Sequence, residues 1–329
     1  MNKRAPRNRT LTCTESEMPG LEADLLSLTS PASPSELTDS IVNQDLEDAL
    51  PLLPANFIDL MVIDPPYNLT KDYNGRVFKS RGAEDYIAWF DRILSSLLPT
   101  LRPNASVYVC SDWNTSNLVF PVLNKYFEVR NRITWEREKG RGAKSNWKNN
   151  TEDIWFCTVG KEYFFNVDVV KLKKQIIAPY RSADGKPKDW EESSTGNYRM
   201  THPSNFWSDI TIPFWSMPEN TDHPTQKPEK LIAKLVLASS KAGDFVFDPF
   251  LGSGTTAVVA RKLGRRFCGI ELSREYCCWA TKRLNQANLD ASIQGYSDGV
   301  FWERNSLKEQ KPFQKARASQ GSASRLFND

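Results

Sequence analysis

The chain has 329 residues, 40% of them hydrophobic, and a net charge of +3. That length buries a full core in one large domain or two smaller ones, and the composition is ordinary for a soluble protein. No apolar run approaches membrane-spanning length, and so small a net charge says little by itself about nucleic acid.

Residues 1–38 are rich in Ser, Thr, Pro and Glu without a sustained period, and they read as a disordered tail. Lys3, Arg4, Arg7 and Arg9 have no apolar stretch behind them, so no secretory signal is expected. The six cysteines, Cys13, Cys110, Cys157, Cys268, Cys277 and Cys278, form no C-x-x-C pair. With only His202 and His223 beside them, no metal site is expected, and reduced thiols in a cytosolic protein are the simplest reading.

Order begins near Ile41. Asp45 is placed to N-cap a short helix over 46–53, which Pro54 ends. Residues 57–63 form a buried strand leading into Asp64-Pro65-Pro66-Tyr67. Ile87, Phe90, Ile93, Leu94, Leu97 and Leu98 mark a helix over 86–98, stopped by Pro99 and Pro103. A strand over 105–110, a helix over 115–126 and strands over 129–135 and 153–159 follow. This is the alternation of a doubly wound α/β fold.

Between positions 130 and 148 lie Arg130, Arg132, Arg137, Lys139, Arg141, Lys144 and Lys148, opposed only by Glu136 and Glu138 and interleaved with Trp135 and Trp147. Such a stretch can neutralise phosphates, which makes Lys139, Arg141, Lys144 and Lys148 candidate nucleic-acid contacts. A solvated basic loop has the same composition.

From 161 to 222 the pattern dissolves into turn formers, lysines and the tryptophans Trp190, Trp207 and Trp215. A long aperiodic segment in a compact chain is usually functional or mobile. Pattern returns at Pro228, a good first helical residue, with Leu231, Ile232, Leu235 and Val236 on one face. A strand ending at Asp248, a helix over 255–263, a strand over 266–271 and a helix over 274–288 complete a βαβα unit. Residues 295–329 read as a basic C-terminal tail.

Two loops carry the chemistry. The exocyclic amine of a nucleobase is a poor nucleophile, because its lone pair is delocalised into the ring. Two acceptors gripping its hydrogens would favour a tetrahedral nitrogen with the lone pair directed outward, and the Asp64 carboxylate and Pro65 carbonyl could be that pair. Pro65 and Pro66 fix φ and offer no competing N–H, while Tyr67 supplies a flat face for a base taken out of a duplex. A plain strand-ending turn is the alternative.

In Asp248-Pro249-Phe250-Leu251-Gly252-Ser253-Gly254-Thr255-Thr256, two glycines permit close approach of a ligand to backbone at the start of a helix. No Lys follows them, and the three-glycine dinucleotide fingerprint is absent. Glu271 ends the next strand on an acid, as a ribose-diol ligand would want. The segment His223-Pro224-Thr225-Gln226-Lys227-Pro228 reads by itself as a polar helix start, with Lys227 a candidate carboxylate partner.

These three motifs, in this order, are similar to those of the permuted β group of S-adenosylmethionine-dependent DNA amino-methyltransferases, over about residues 41–288. The resemblance implies a Rossmann-like, seven-stranded class I methyltransferase sheet with one reversed strand and circularly permuted motif order. It further implies a catalytic half over 39–160, an irregular target-recognition segment over 161–222 and a cofactor-binding half over 223–294. Asp64, Pro65, Pro66 and Tyr67 would be catalytic. Phe250, Gly252, Ser253, Gly254 and Thr255 would line S-adenosylmethionine, with Asp248 behind them and Glu271 on the ribose hydroxyls. Thr225 and Lys227 would lie at its methionine end and Asp45 by its adenine, although helix capping explains Asp45 equally well.

The implied activity is transfer of a methyl group to adenine N6 in double-stranded DNA, because Asp64 matches the adenine-modifying members and cytosine-N4 members more often carry Ser. Cytosine-N4 methylation, RNA or protein-amide methylation, and a non-enzymatic DNA-binding module are the alternatives. The implied partners are double-stranded DNA, a second copy of the chain and a cognate restriction endonuclease, in the cytoplasm of a bacterial, archaeal or phage-infected cell.

Overall fold

A computed structural model describes residues 5–73, 76–137, 144–176, 180–193 and 196–303. Its main sheet is built from β1 (Ser40–Asn43), β2 (Ile58–Ile63), β3 (Leu101–Asp112), β4 (Glu128–Glu136), β5 (Thr151–Thr158), β6 (Phe206–Trp207), β7 (Phe245–Asp248) and β8 (Arg266–Glu271). The strand order is β1-β8-β7-β2-β3-β5-β4-β6. Among these, β5 runs antiparallel to both neighbours and every other pair is parallel. The expected reversed strand is therefore present. The two residues of β6 add an eighth strand, from a segment whose sequence reads as irregular.

Among the described residues seven α-helices accompany the sheet: α1 (Met18–Glu22), α2 (Leu46–Ala49), α3 (Ala83–Leu97), α4 (Trp113–Tyr126), α5 (Glu229–Ser239), α6 (Thr255–Lys262) and α7 (Arg274–Leu289). Strand residues alternate between two apolar layers. Tyr108 and Cys110 join the layer of α5, α6 and α7, whereas Val107 and Val109 join that of α2, α3 and α4. Covering both faces is what a mostly parallel sheet requires. No described helix is long and apolar enough to cross a membrane.

Pro103 does not keep β3 from starting at Leu101. Ile58 pairs with Leu101 but Leu60 with Ser106, so the proline falls within an irregularity where no ladder donor is needed. Helix α5 is buried all round rather than on one face. Its apolar side chains Leu231, Ile232, Leu235 and Val236 each contribute about 1.5–3 kcal/mol by leaving water. Lys230 and Lys234 are tolerated inside because both ion-pair with buried Asp209, at 2.8 and 2.9 Å.

Asp209 comes from the stretch 161–222, where the sequence gives little periodicity. That stretch supplies Leu172–Gln175, Glu191–Ser193 and Gly196–Thr201 to a five-stranded second sheet, completed by Tyr296–Ser297 and Val300–Trp302. Strands this short carry almost no alternation to detect. The expected loose C-terminal tail thus contributes two strands, with Phe301 and Trp302 buried; residues 304–329 lie outside the described residues.

The described part of the expected N-terminal tail also packs. Leu26 bonds the outer edge of β1, donating to Ile41 O at 2.9 Å and accepting from Asn43 N at 2.8 Å. Leu37 is fully buried, and Leu11 packs on Tyr276 and Trp279 of α7. A few apolar anchors inside a polar composition suffice to cover an open sheet edge.

Candidate active site

Both chemical loops leave the C-terminal ends of neighbouring strands. Val246 and Phe247 of β7 pair in parallel with Leu60 and Met61 of β2, so Asp64 and Asp248 emerge side by side at the centre of the sheet. Open α/β sheets place ligands at such ends. A cavity of about 400 Å³ opens there, within the usual range for small-molecule sites.

Its walls include Asp45, Asp64, Pro65, Pro66, Tyr67, Thr225, Lys227, Asp248, Phe250, Gly252, Ser253, Thr255 and Glu271. Three segments far apart in sequence are thereby brought together. Gly254 is the exception among the expected cofactor residues. At φ +83° it turns toward α7, and a Cβ there would stand 2.5 Å from Ala280 Cβ, so it seats the loop on a helix rather than facing the cavity. Gly252, at φ +55°, keeps its N–H on Glu271 Oε2 at 2.8 Å. Ser273 N donates to the other Glu271 oxygen at 2.7 Å, which fixes the carboxylate at the cavity wall.

Asp248 orders the loop itself, accepting from Phe250 N at 3.0 Å and from the Thr256 hydroxyl at 2.6 Å. Burial pushes its carboxyl up to about 7. Asp45 N-caps α2 through Glu47 N at 2.8 Å and also lines the cavity, so capping and ligand contact are compatible. Thr225 N donates to His223 Nδ1 at 3.3 Å. His223 closes over Gly252, and burial, with the nearby Lys227 charge, pushes its imidazole down to about 3.

The Asp64-Pro65-Pro66-Tyr67 loop is held by an ion network. Lys227 Nζ donates to both Asp64 oxygens at 2.7 Å and to the Tyr67 hydroxyl at 3.0 Å, and stands 3.3 Å from Glu152 Oε2. Burial would lower the Lys227 pKa, yet the Asp64 and Glu152 charges outweigh it and raise it above the usual lysine value. Lys227, read as a cofactor partner, is thus turned toward Asp64. The Tyr67 hydroxyl donates toward Asp64 Oδ1 and Glu152 Oε2, at 3.0 and 3.2 Å. The Pro65 carbonyl has no hydrogen-bond partner among the described residues, which leaves it available as an acceptor.

Sequence reading missed Glu152 and Asn68, and counted Arg137 only as part of the basic stretch. Glu152 is buried at the start of β5, and its other oxygen pairs with Arg137. An acid heading an otherwise apolar strand run was the available signal. Asn68 clamps both backbone groups of Arg81, at 2.8 and 2.9 Å, closing a hairpin (Lys71–Tyr73 with Arg76–Phe78) beside the cavity.

Of the candidate nucleic-acid contacts, Lys139 and Arg141 lie outside the described residues. Lys144 and Lys148 are exposed and do not line the cavity. Two further cations of that stretch are committed internally. Arg130 bonds the Thr158 hydroxyl at 2.9 Å and Gly160 O at 3.1 Å, and Arg137 holds Glu152.

Comparison with known proteins gives a consistent result. The N6/N4 methyltransferase family model, described as DNA methylase, matches residues 58–282. The DNA adenine methyltransferase YhdJ of Escherichia coli is 32% identical over 288 residues, covering 83% of this chain and 93% of that protein. The type II methyltransferase M.BglII of Bacillus subtilis is 32% identical over 253 residues, covering 74% of this chain and 68% of its own. Among solved structures, the M1.HpyAVI–SAM complex superposes with a TM-score of 0.51 at 22% identity, covering 74% of this chain and 98% of its own. The cytosine-N4-specific PvuII DNA methyltransferase gives 0.55 at 17% identity, covering 77% and 92%. At these identities the two structures speak to the fold alone.

Proposed function

This chain belongs to the N6/N4 DNA methylase family, and on that premise we propose that it methylates adenine N6 in double-stranded DNA, using S-adenosylmethionine. The observation that carries the reading is the meeting of Asp64-Pro65-Pro66-Tyr67 and the Gly252 loop at one cavity, on adjacent strand ends. Aspartate at the head of the catalytic loop favours adenine, as does the 32% identity to an adenine methyltransferase.

The residues present suit the cofactor. The cavity offers the Gly252 backbone in the loop before α6, a fixed carboxylate at Glu271 for a diol, and the Phe250 ring. When bound, S-adenosylmethionine supplies an electrophilic methyl on a sulfonium. Asp64 and the Pro65 carbonyl accept the two amine hydrogens and turn the nitrogen lone pair outward. As the nitrogen gains its new bond, positive charge develops on it, and Asp64 is placed to stabilise that charge and take the departing proton. Tyr67 presents its ring to a base extruded from the duplex. Lys144 and Lys148 supply phosphate contacts.

The test is methyl transfer from labelled S-adenosylmethionine to unmethylated double-stranded DNA, with the product nucleosides separated by mass spectrometry. N6-methyl-2′-deoxyadenosine is the expected product. N4-methyl-2′-deoxycytidine would keep the chemistry and overturn the base assignment. No product on DNA would overturn the reading.

A further inference from the structure

Lys227 stands between two carboxylates. It covers both oxygens of Asp64 at 2.7 Å and lies 3.3 Å from Glu152 Oε2. In that arrangement most of the acceptor capacity of Asp64 is taken, since Oδ1 also takes the Tyr67 hydroxyl at 3.0 Å. An incoming amine must compete with donors already in place.

Glu152 offers those donors somewhere to go. The Tyr67 hydroxyl is already 3.2 Å from it, and the Lys227 ammonium is already ion-paired with it at 3.3 Å, so a small shift toward Glu152 would strengthen that pair at the expense of Asp64. Burial opposes ionisation of Glu152, yet Lys227 and Arg137 hold its carboxyl below the usual range, so it stays an anion. It does not line the cavity and touches no reacting atom.

We propose that Glu152 is a positioning residue that competes with Asp64 for the Lys227 ammonium and the Tyr67 hydroxyl, and so frees Asp64 to grip the target amine. The proposal rests on the methyltransferase reading above. Arg137 works against it by neutralising Glu152 from the far side. The charged and titratable groups around Asp64 are Lys227, Tyr67, Glu152, Cys110 and Asp248, and the variants below alter only Glu152 or its Arg137 partner.

The experiment is single-turnover methylation of unmethylated genomic DNA across pH, with cofactor affinity measured by calorimetry. Glu152→Gln keeps the shape and removes the charge. It is expected to slow transfer about tenfold, with cofactor affinity unchanged and the acid limb of the rate moved down by about one pH unit. Arg137→Gln is expected to move that limb up. A purely structural role would lower the active fraction without moving the limb in opposite directions. An unmoved limb, shifts of the same sign, or loss of cofactor affinity in step with rate overturns the proposal. Should Glu152→Gln fold poorly, Glu152→Asp retains the charge, and a limb at the wild-type position with partial rate supports the proposal. A displaced limb in that variant overturns it. Wild-type protein that methylates no DNA removes the underlying reading itself, and the proposal with it.

Discussion

Gly252 and Gly254 are two residues apart and do different work. A Cβ at Gly254 would meet Ala280 Cβ at 2.5 Å and its Cα at 2.9 Å, and a helix backbone cannot give way. Gly254→Ala should therefore destabilise the fold by about 1–3 kcal/mol from overpacking, in addition to its left-handed strain. At Gly252 the nearest atom is His223 Nε2 at 3.0 Å, a side chain at the cavity wall. Gly252→Ala should weaken S-adenosylmethionine binding more than stability. Melting temperatures and calorimetric affinities of the two variants check this, and equal behaviour would contradict it. Asp248 makes a pH prediction. Its carboxyl holds a proton until about pH 7 in the fold, against 3.8 ordinarily, because burial disfavours the anion. Its stabilising contribution is full below pH 3.8 and lost as pH rises through 7. His223 runs oppositely: its contribution is full above 6.5 and lost as pH falls toward 3. Substituting Asp248→Asn isolates the first effect. Between pH 5 and 7.5 the wild type should lose more stability than the variant in urea unfolding.

The basic stretch separates by element. Arg130 is tied to Thr158 and Gly160 at the far end of β5, and Arg137 to Glu152, whereas Lys144 and Lys148 are exposed. Replacing Lys144 and Lys148 together should reduce the slope of log affinity for DNA against log salt by about 2. Arg130→Gln should leave that slope in place and lower stability instead. A slope unchanged in the lysine double variant would make them solvated surface. Composition alone cannot draw this line, because it counts charges without their partners. The sheet strands and helices were legible for the opposite reason: their apolar periods act locally. The chemical loops were legible because each is contiguous. Glu152 was not, since its meaning depends on Lys227, 75 residues further along the chain. Gly254 was legible as a glycine that matters, but the side it faces depends on α7.

At the scale of the molecule, the two sheets meet at Asp209. It pairs with Lys230 and Lys234 of α5, and Lys230 also donates to Trp302 O. The buried α5 thus joins the main sheet to the second sheet. Asp209→Asn leaves two buried ammonium groups undercompensated, at a cost of about 3–5 kcal/mol. Hydrogen exchange should rise first in Leu172–Gln175 and Gly196–Thr201, ahead of β7 and β8. Uniform acceleration across both sheets would instead mark one cooperative unit.

That second sheet draws on two parts of the chain. Leu172–Gln175 pairs in parallel with Val300–Trp302, so the middle segment is completed by residues from beyond α7. Exchanging 161–222 alone would strand Phe301 and Trp302 against a foreign surface. The unit that packs together here is discontinuous, and a chimaera needs junctions on both sides of α5, α6 and α7.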